Sequence, residues 1–238
     1  MNYIGIDIGS TCAKTVVLNE KKEIIQEFVQ PTGWSSIDTA EEILQKLKLA
    51  GIGLSDNSSC CVATGYGRIS VPYADKTVTE ITCHALGAVH LFQQPDLTVI
   101  DIGGQDTKII QIEQGFVKDF IMNDKCAAGT GRFLEVMANT LSLRPNEMFE
   151  LARLGSDTTI SSMCTVFAES EVIGLIGKGE PKENIAYAVV DSTIRKVAAQ
   201  VSRMNGEMST FCLTGGLCEC EYIREALSKK LGKEVISS

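Results

Sequence analysis

The 238 residues include 22 Lys and Arg against 30 Asp and Glu, a formal charge of −8, and 44% are hydrophobic. This acidic balance argues against binding of nucleic acid or of an anionic membrane surface through bulk charge. Since no apolar run reaches the roughly 18 residues that span a bilayer and the N-terminus lacks a signal-peptide pattern, we expect a cytoplasmic globular protein.

The first predicted elements form a unit that the chain uses twice. Residues 3–18 read as an apolar strand ending in Ile-Asp-Ile-Gly, a small polar turn and a second strand that carries a lysine. The same pattern returns at residues 98–112, which makes Asp7 and Asp101 equivalent. Glycine turns of this kind expose consecutive backbone N–H groups, which attract phosphate. A pair of ordinary hairpins is the alternative, which the repeated aspartate disfavours.

Apolar spacing and short β-branched runs predict the remaining elements. In the first half these are strands at 23–29 and 60–64 and helices at 37–49 and 77–92. In the second half they are strands at 116–122 and 211–213, helices at 130–141, 145–154, 166–177 and 182–204, and a last helix ending near Leu231. The sequence therefore predicts an α/β fold of two half-domains, 1–95 and 96–238, around a nucleotide cleft. This duplicated layout resembles the actin, Hsp70 and sugar-kinase ATPase superfamily.

The glycine turns predict a site for ATP or ADP. Asp7 and Asp101 at the strand ends are expected to hold Mg²⁺ through water, because this ion dehydrates reluctantly. Gln105 or Asp106 is expected to orient the attacking water, so Asp101 and Gln105 are the predicted catalytic residues. The predicted nucleotide-binding residues also include Gly9, Ser10, Thr11 and Lys14 in the first turn, Gly103, Gly104, Gln105 and Asp106 in the second, and Thr214, Gly215 and Gly216 against the adenosine.

Nine cysteines are many for a chain of this length. In a cytosolic protein they indicate metal or redox chemistry more than a disulfide framework. Five have apolar or small neighbours and are expected to be buried thiols: Cys12, Cys60, Cys61, Cys83 and Cys212. Cys218 and Cys220 are expected to form a surface thiol pair, with an additional metal site as the alternative.

Cys126 and Cys164 each stand before a predicted helix, and Thr165 is the predicted N-cap of the second of these helices. The positive end of a helix dipole favours a thiolate, the form that iron–sulfur clusters require. From the residues alone, both cysteines are either buried structural thiols or ligands of a cluster or of Zn²⁺. Two ligands per chain would complete a [4Fe–4S] cluster only in a symmetric dimer.

Five segments are distinctive: IDIGGQD, TGYGR, ADKTVTEITCHALGA, NDKCAAGTGRFLE and SSMCTVFAESEV. Together they resemble the ATP-dependent activator proteins of 2-hydroxyacyl-CoA dehydratases and the related subunits of benzoyl-CoA reductases, from Tyr3 to about Val235. The resemblance implies a homodimer with one bridging [4Fe–4S] cluster, ligated by Cys126 and Cys164 of each chain. Ferredoxin or flavodoxin would reduce the cluster, and ATP would drive the electron to the dehydratase or a related cluster-bearing component.

The resemblance also implies a further small-residue helix after the last strand, whereas the sequence ends at Ser238. We therefore expect adenosine binding and domain closure to be affected. Two other functions stay open: a small-molecule kinase of the same fold with structural cysteines, and a nucleotide-gated binding protein without turnover.

Overall fold

A computed structural model describes residues 1–54, 59–162, 164–205 and 210–237. The chain divides into two compact units, Met1–His84 and Ala85–Ser238. This division lies before the predicted boundary at 95/96 and falls inside a helix, α2, over Glu80–Phe92. Most of that helix is therefore counted with the second unit.

The first unit contains a five-stranded sheet and one long helix. Its elements are β1 (Asn2–Ile8), β2 (Cys12–Leu18), β3 (Ile24–Pro31), α1 (Ser36–Leu49), β4 (Ser59–Thr64), a 3₁₀ turn (Arg68–Ser70) and β5 (Lys76–Thr77). The strand order is β3-β2-β1-β4-β5, in which β1 pairs antiparallel with β2 and parallel with β4. Ser35 caps α1 by accepting from the Asp38 N–H, and the helix packs Ile43 and Leu47 onto the sheet.

The second unit repeats this sheet and adds a larger helical layer. Its elements are β6 (Leu97–Ile102), β7 (Thr107–Glu113), β8 (Phe116–Asn123), α3 (Gly131–Thr140), α4 (Pro145–Ala152), α5 (Thr165–Gly177), α6 (Lys182–Val201), β9 (Thr210–Gly215), α7 (Glu221–Leu231) and β10 (Val235–Ser237). The strand order is β10-β9-β6-β7-β8. Helix α6 lies at the centre of the core, where Val189, Ile194 and Val197 are fully buried.

The two sheets have the same strand order when their strands are matched in chain order. The duplication predicted from the two aspartate turns is therefore confirmed, and it extends to all five strands. The short parallel strands β5 and β10 were not predicted, because two or three residues are too few for a periodic pattern. Among the described helices, none is both long and apolar enough to cross a membrane.

Candidate functional site

Asp7 and Asp101 occupy equivalent register positions in their sheets. Asp7 lies opposite Lys14 on β2 and Thr64 on β4, and Asp101 lies opposite Lys108 on β7 and Thr214 on β9. Each aspartate thus has a lysine on the antiparallel neighbour and a threonine on the parallel one.

Both turns close with the same backbone hydrogen bond. The Gly9 N–H donates to the Cys12 carbonyl at 3.2 Å, and the Gly103 N–H donates to the Asp106 carbonyl at 2.9 Å. Cys12 and Asp106 are therefore equivalent residues of the two turns. Thr32, which lies outside the first turn, also stabilises it, because its hydroxyl donates to the Gly9 carbonyl at 2.7 Å.

A glycine after the parallel strand lies against each aspartate. Gly65 and Gly215 have positive φ angles of 83° and 85°. A Cβ on Gly65 would lie 2.3 Å from Asp7 Oδ1, and one on Gly215 would lie 2.6 Å from Asp101 Oδ1. Both positions therefore require glycine, for conformation and for space. Sequence reasoning assigned Gly215 to the site but missed Gly65. The repeated Thr-Gly dipeptide at a strand end was the signal that could have shown it.

The first turn is open to solvent. Ser10 and Thr11 are exposed, as is Lys14, whose Nζ lies 3.0 Å from Asp7 Oδ2 with 48% of the side chain accessible. The other carboxylate oxygen, Asp7 Oδ1, is buried without a hydrogen-bond partner in the described part of the chain. The Lys14–Asp7 ion pair is thus accessible to solvent.

The second turn has a buried ion cluster behind an exposed tip. Lys108 is 2% accessible, and its Nζ lies 2.7 Å from Asp106 Oδ2 and 3.3 Å from Asp101 Oδ2. The Thr214 hydroxyl donates to Asp101 Oδ1 at 3.4 Å. Gly104 and Gln105 form the exposed tip. Of the two residues predicted to orient water, Gln105 is thus the accessible one, and Asp106 is bound to Lys108.

The second turn is also tied to the beginning of α3. The Gly131 N–H donates to the Gly103 carbonyl at 2.9 Å, and the Arg132 N–H donates to the Gly104 carbonyl at 2.8 Å. The first N–H groups of a helix have no partner within the helix, and here the turn carbonyls supply one. The Thr107 hydroxyl, directly after the turn, donates to the Gly129 carbonyl at 2.7 Å. The turn and the loop before α3 are therefore one hydrogen-bonded structure.

Cys126 lies in that loop and is half-buried. The Asn123 side-chain amide donates to the carbonyls of Cys126 at 2.8 Å and Ala128 at 3.2 Å. Helix α3 begins at Gly131, one residue after the predicted start, so Cys126 precedes the helix as predicted, with the loop residues 127–130 between them. The hydrogen bonds of Asn123 hold the backbone of this loop.

Cys164 is exposed and is itself the N-cap of α5, with φ −86° and ψ 132°. Its carbonyl accepts from the Ala168 N–H at 2.9 Å. The prediction that Thr165 is the N-cap is therefore wrong. Thr165 is the first residue of the helix, and its hydroxyl is buried without a partner among the described residues. The N-cap position places Cys164 at the N-terminal end of α5.

Of the other seven cysteines, two are buried as predicted and five differ in burial from the prediction. Cys61 and Cys212 are buried, and burial raises the pKa of each thiol to about 12, so neither suits a thiolate ligand. Three thiols expected to be buried are only half-buried: Cys12, Cys60 and Cys83. The expected surface pair is also half-buried, because Cys218 and Cys220 pack against the core, and burial raises both pKa values.

No group of three or more His, Cys, Asp or Glu side chains that could hold a metal ion occurs among residues 1–54, 59–162, 164–205 and 210–237. Cys126 and Cys164 supply two thiols per chain, which is half of the Cys₄ set that a [4Fe–4S] cluster requires.

The chain resembles proteins of known function along its whole length. It is 42% identical to the (R)-2-hydroxyglutaryl-CoA dehydratase activating ATPase of Acidaminococcus fermentans, over 99% of this chain and 90% of that protein. The crystal structure of component A of that dehydratase superposes with a TM-score of 0.90 at 41% identity, covering 100% of this chain and 92% of the other.

A second solved structure is the activator of the 2-hydroxyisocaproyl-CoA dehydratase from Clostridium difficile with bound ADPNP. It has a TM-score of 0.87 and 34% identity, covering 99% of this chain and 88% of that one. The model of a protein family matches residues 4–238. These similarities confirm the predicted family resemblance and the predicted fold: the chain belongs to the BadF/BadG/BcrA/BcrD ATPase family.

Proposed function

We propose that this chain is an ATP-hydrolysing iron–sulfur activator, which passes a low-potential electron from ferredoxin or flavodoxin to a 2-hydroxyacyl-CoA dehydratase or a related cluster-bearing component. The observation that carries the proposal is the pair of hydrogen bonds from Gly131 and Arg132 to the carbonyls of Gly103 and Gly104. They join a glycine turn suited to phosphate with the loop that holds Cys126. A nucleotide site and a candidate electron-transfer site are thus coupled inside one unit.

Each aspartate turn, taken by itself, has features suited to phosphate. The exposed residues are Ser10 and Thr11 in the first turn and Gly104 and Gln105 in the second, and they offer backbone N–H groups and polar side chains. Lys14 adds a solvent-accessible positive charge beside the first turn. Gln105 is the residue that positions the attacking water, because it is the accessible polar side chain at the tip of its turn. A related activator binds ADPNP, which supports ATP as the ligand.

The carboxylates fit Mg²⁺, which prefers oxygen ligands and keeps several waters. Asp7 is the better candidate ligand of the two. Its Oδ1 has no hydrogen-bond partner within the described residues, whereas Asp101 is bound to Thr214 and Lys108. When bound, the ion neutralises charge on the phosphates during transfer.

Cys126 and Cys164 fit half of a [4Fe–4S] ligand set, and a cluster held by both would supply one-electron transfer. Helix α5, which begins directly after Cys164, supports a symmetric homodimer. Four large apolar side chains of this helix are 45–67% exposed: Val166, Phe167, Ile173 and Ile176. A second copy would cover this surface and bring two further thiols.

The structural effect of ATP binding and hydrolysis at the second turn would then be transmitted to the cluster through the protein backbone. A shift of the Gly103 and Gly104 carbonyls must either break two hydrogen bonds or move the beginning of α3 and the Cys126 loop. Breaking both costs more than a small helix displacement, because the freed N–H groups have no other partner in the helix. We therefore expect nucleotide state to change the surroundings of Cys126.

The test is iron and sulfide content, with an EPR spectrum after dithionite, on protein purified without air. We expect about four irons per dimer and a reduced-cluster signal that changes with ADP or ATP. Cys126→Ala and Cys164→Ser should each lose the cluster and keep ATP binding, whereas the control Cys83→Ser should keep both. Absence of iron after anaerobic reconstitution, or equal iron in Cys164→Ser, would refute the proposal and favour the kinase alternative.

A further inference from the structure

The segment Ile160–Ser162, just before Cys164, is fixed by a carboxylate from the following helix. Glu171 of α5 accepts from the Ser161 N–H, with Oε1 at 3.0 Å and Oε2 at 3.2 Å, and from the Ser162 N–H at 3.1 Å. It also accepts from the Ser161 hydroxyl at 3.2 and 3.3 Å. Two backbone N–H groups and one hydroxyl thus converge on one side chain.

Glu171 carries its charge at neutral pH. Burial alone would raise its pKa, but the N–H groups of Ser161 and Ser162 and the serine hydroxyls outweigh burial and hold the pKa below its ordinary value. Hydrogen bonds to an ionised group are about twice as strong as neutral ones. The contact is therefore a strong restraint on the backbone of this segment.

A second charged side chain holds the same segment from another helix. Arg195 of α6 donates from Nη2 to the Ile160 carbonyl at 3.1 Å. Arg195 also forms an ion pair with Asp191, one turn earlier on α6, with 2.8 Å between Nε and Oδ2. The segment is thus held through its N–H groups by α5 and through its carbonyl by α6.

We propose that Glu171 and Arg195 are positioning residues that clamp Ile160–Ser162 and thereby set the position of the Cys164 thiol before any metal group binds. The inference rests on the proposed function in taking Cys164 as a cluster ligand. An exposed cysteine at an N-cap is anchored on its C-terminal side by its helix. The clamp anchors it on the N-terminal side, so that the thiol is preorganised from both directions.

The chain offers a matched control on the same helix. Glu169 lies two positions before Glu171 and accepts instead from the Thr140 hydroxyl of α3 at 3.3 Å. Glu169→Ala removes the same charge from the same helix and leaves the clamp intact. Glu171→Gln keeps one acceptor oxygen, and it should give an intermediate result if the hydrogen bonds, and not general stability, are responsible.

The first measurement uses metal-free protein and follows amide hydrogen exchange of Ser161 and Ser162. We expect exchange to rise at least about tenfold in Glu171→Ala, less in Glu171→Gln and Arg195→Ala, and not at all in Glu169→Ala. The rate at which iodoacetamide alkylates the Cys164 thiol, measured relative to that of Cys126, should change severalfold. The variants should rank in the same order as for hydrogen exchange. Wild-type rates for both readouts in Glu171→Ala would overturn the inference.

The second measurement loads the protein anaerobically and follows iron loss to a chelator. Glu171→Ala should lose iron several times faster than wild type and Glu169→Ala, with unchanged ADP affinity. Equal iron loss in all variants would show that the clamp does not position a ligand. Failure of the wild type to take up iron would refute the proposed function, and the alkylation rates would still decide whether Glu171 positions the Cys164 thiol.

Discussion

The two aspartate turns share a backbone and differ in their charges. Lys14 and Lys108 hold equivalent register positions, but 48% of the Lys14 side chain is accessible against 2% of Lys108. The charges differ as well, because the second turn has Asp106, which pairs with Lys108, where the first has Cys12. The additional carboxylate makes burial of an ammonium group tolerable, since a buried charge needs close partners.

We infer from this difference that the two turns have separate tasks. Strands β6 and β7 are almost fully buried, whereas β1 and β2 alternate between buried and accessible residues. The second turn is thus a rigid structure anchored in the core, and it is the one bound to α3. The first turn has a solvated lysine and a carboxylate oxygen without a partner, which suits a part that rearranges around its ligand.

The largest effect should come from removing the buried lysine. Lys108→Met leaves the carboxylates of Asp101 and Asp106 buried and uncompensated, so we expect a loss of about 3–5 kcal/mol in the free energy of unfolding. Lys14→Met, the equivalent change in the solvated pair, should cost less than about 1 kcal/mol. Urea unfolding of both variants measures the difference, and similar losses would contradict the assignment of separate tasks.

Substitutions of the two aspartates should differ in their effects on catalysis and on stability. Asp7→Asn removes the better Mg²⁺ candidate, and we expect ATP turnover to fall roughly 100-fold with little change in unfolding. Asp101→Asn should lower turnover and also weaken the fold, because it removes one partner of Lys108. Turnover assays and unfolding curves on the same preparations test this. A destabilised Asp7→Asn with normal turnover would reverse the assignment.

Substitution of Gly65 and of Gly215, the glycines next to the aspartates, should lower stability to a similar extent in both halves. Gly65→Ala and Gly215→Ala each combine a positive φ with a clash against a carboxylate, so each should cost about 1–3 kcal/mol. Gly216→Ala is the control, because a Cβ there meets nothing within 4 Å. Thermal unfolding checks the prediction. A mild effect at Gly65 alone would mean that the first half adapts more easily.

The smallest effect concerns pH and the buried thiols on the equivalent strands β4 and β9. Burial raises the pKa of Cys61 and Cys212 from 9.0 to about 12. Above pH 9 the unfolded chain therefore loses these protons while the folded chain keeps them, so stability falls as pH rises.

The stability difference between wild type and Cys212→Ala should accordingly shrink by roughly 1 kcal/mol per pH unit above pH 9. Cys61→Ala should behave the same way. Guanidinium unfolding at pH 8, 9 and 10 measures both differences. A constant difference at either site would show that its thiol titrates equally in the folded and unfolded chain.

Much of the fold was predictable because it follows from local sequence patterns. The repeated Ile-Asp-Ile-Gly strand ends indicated the duplication, and apolar spacing located every long helix within a few residues. The contact of Gly65 with Asp7 was not predictable in the same way. It joins two parallel strands far apart in sequence, and only comparison of Thr64-Gly65 with Thr214-Gly215 distinguishes this glycine from one in an ordinary turn.

The contacts around the two cysteines were likewise not predictable from local sequence patterns. Their resemblance to a family identified Cys126 and Cys164, but the N-cap was assigned to Thr165 because threonine is a common capping residue. Cys164 takes the position instead, and its surroundings are set by Glu171 and Arg195, whose partners lie on other elements. Early acidic residues in a helix suit its dipole, so no further contact of Glu171 was expected from the sequence.

The hydrogen bonds between Gly103, Gly104 and the first residues of α3 use only main-chain atoms. Alanine scanning replaces side chains, so a conventional mutational survey would pass over this connection. Replacing the Gly131 or Arg132 amide by an ester, which deletes the N–H donor and leaves the side chain, is the appropriate probe. For the same reason, substitutions of the side chains around the turn should leave these hydrogen bonds in place as long as the glycines are kept. The connection between the second turn and the Cys126 loop therefore depends on main-chain atoms and should tolerate most single substitutions.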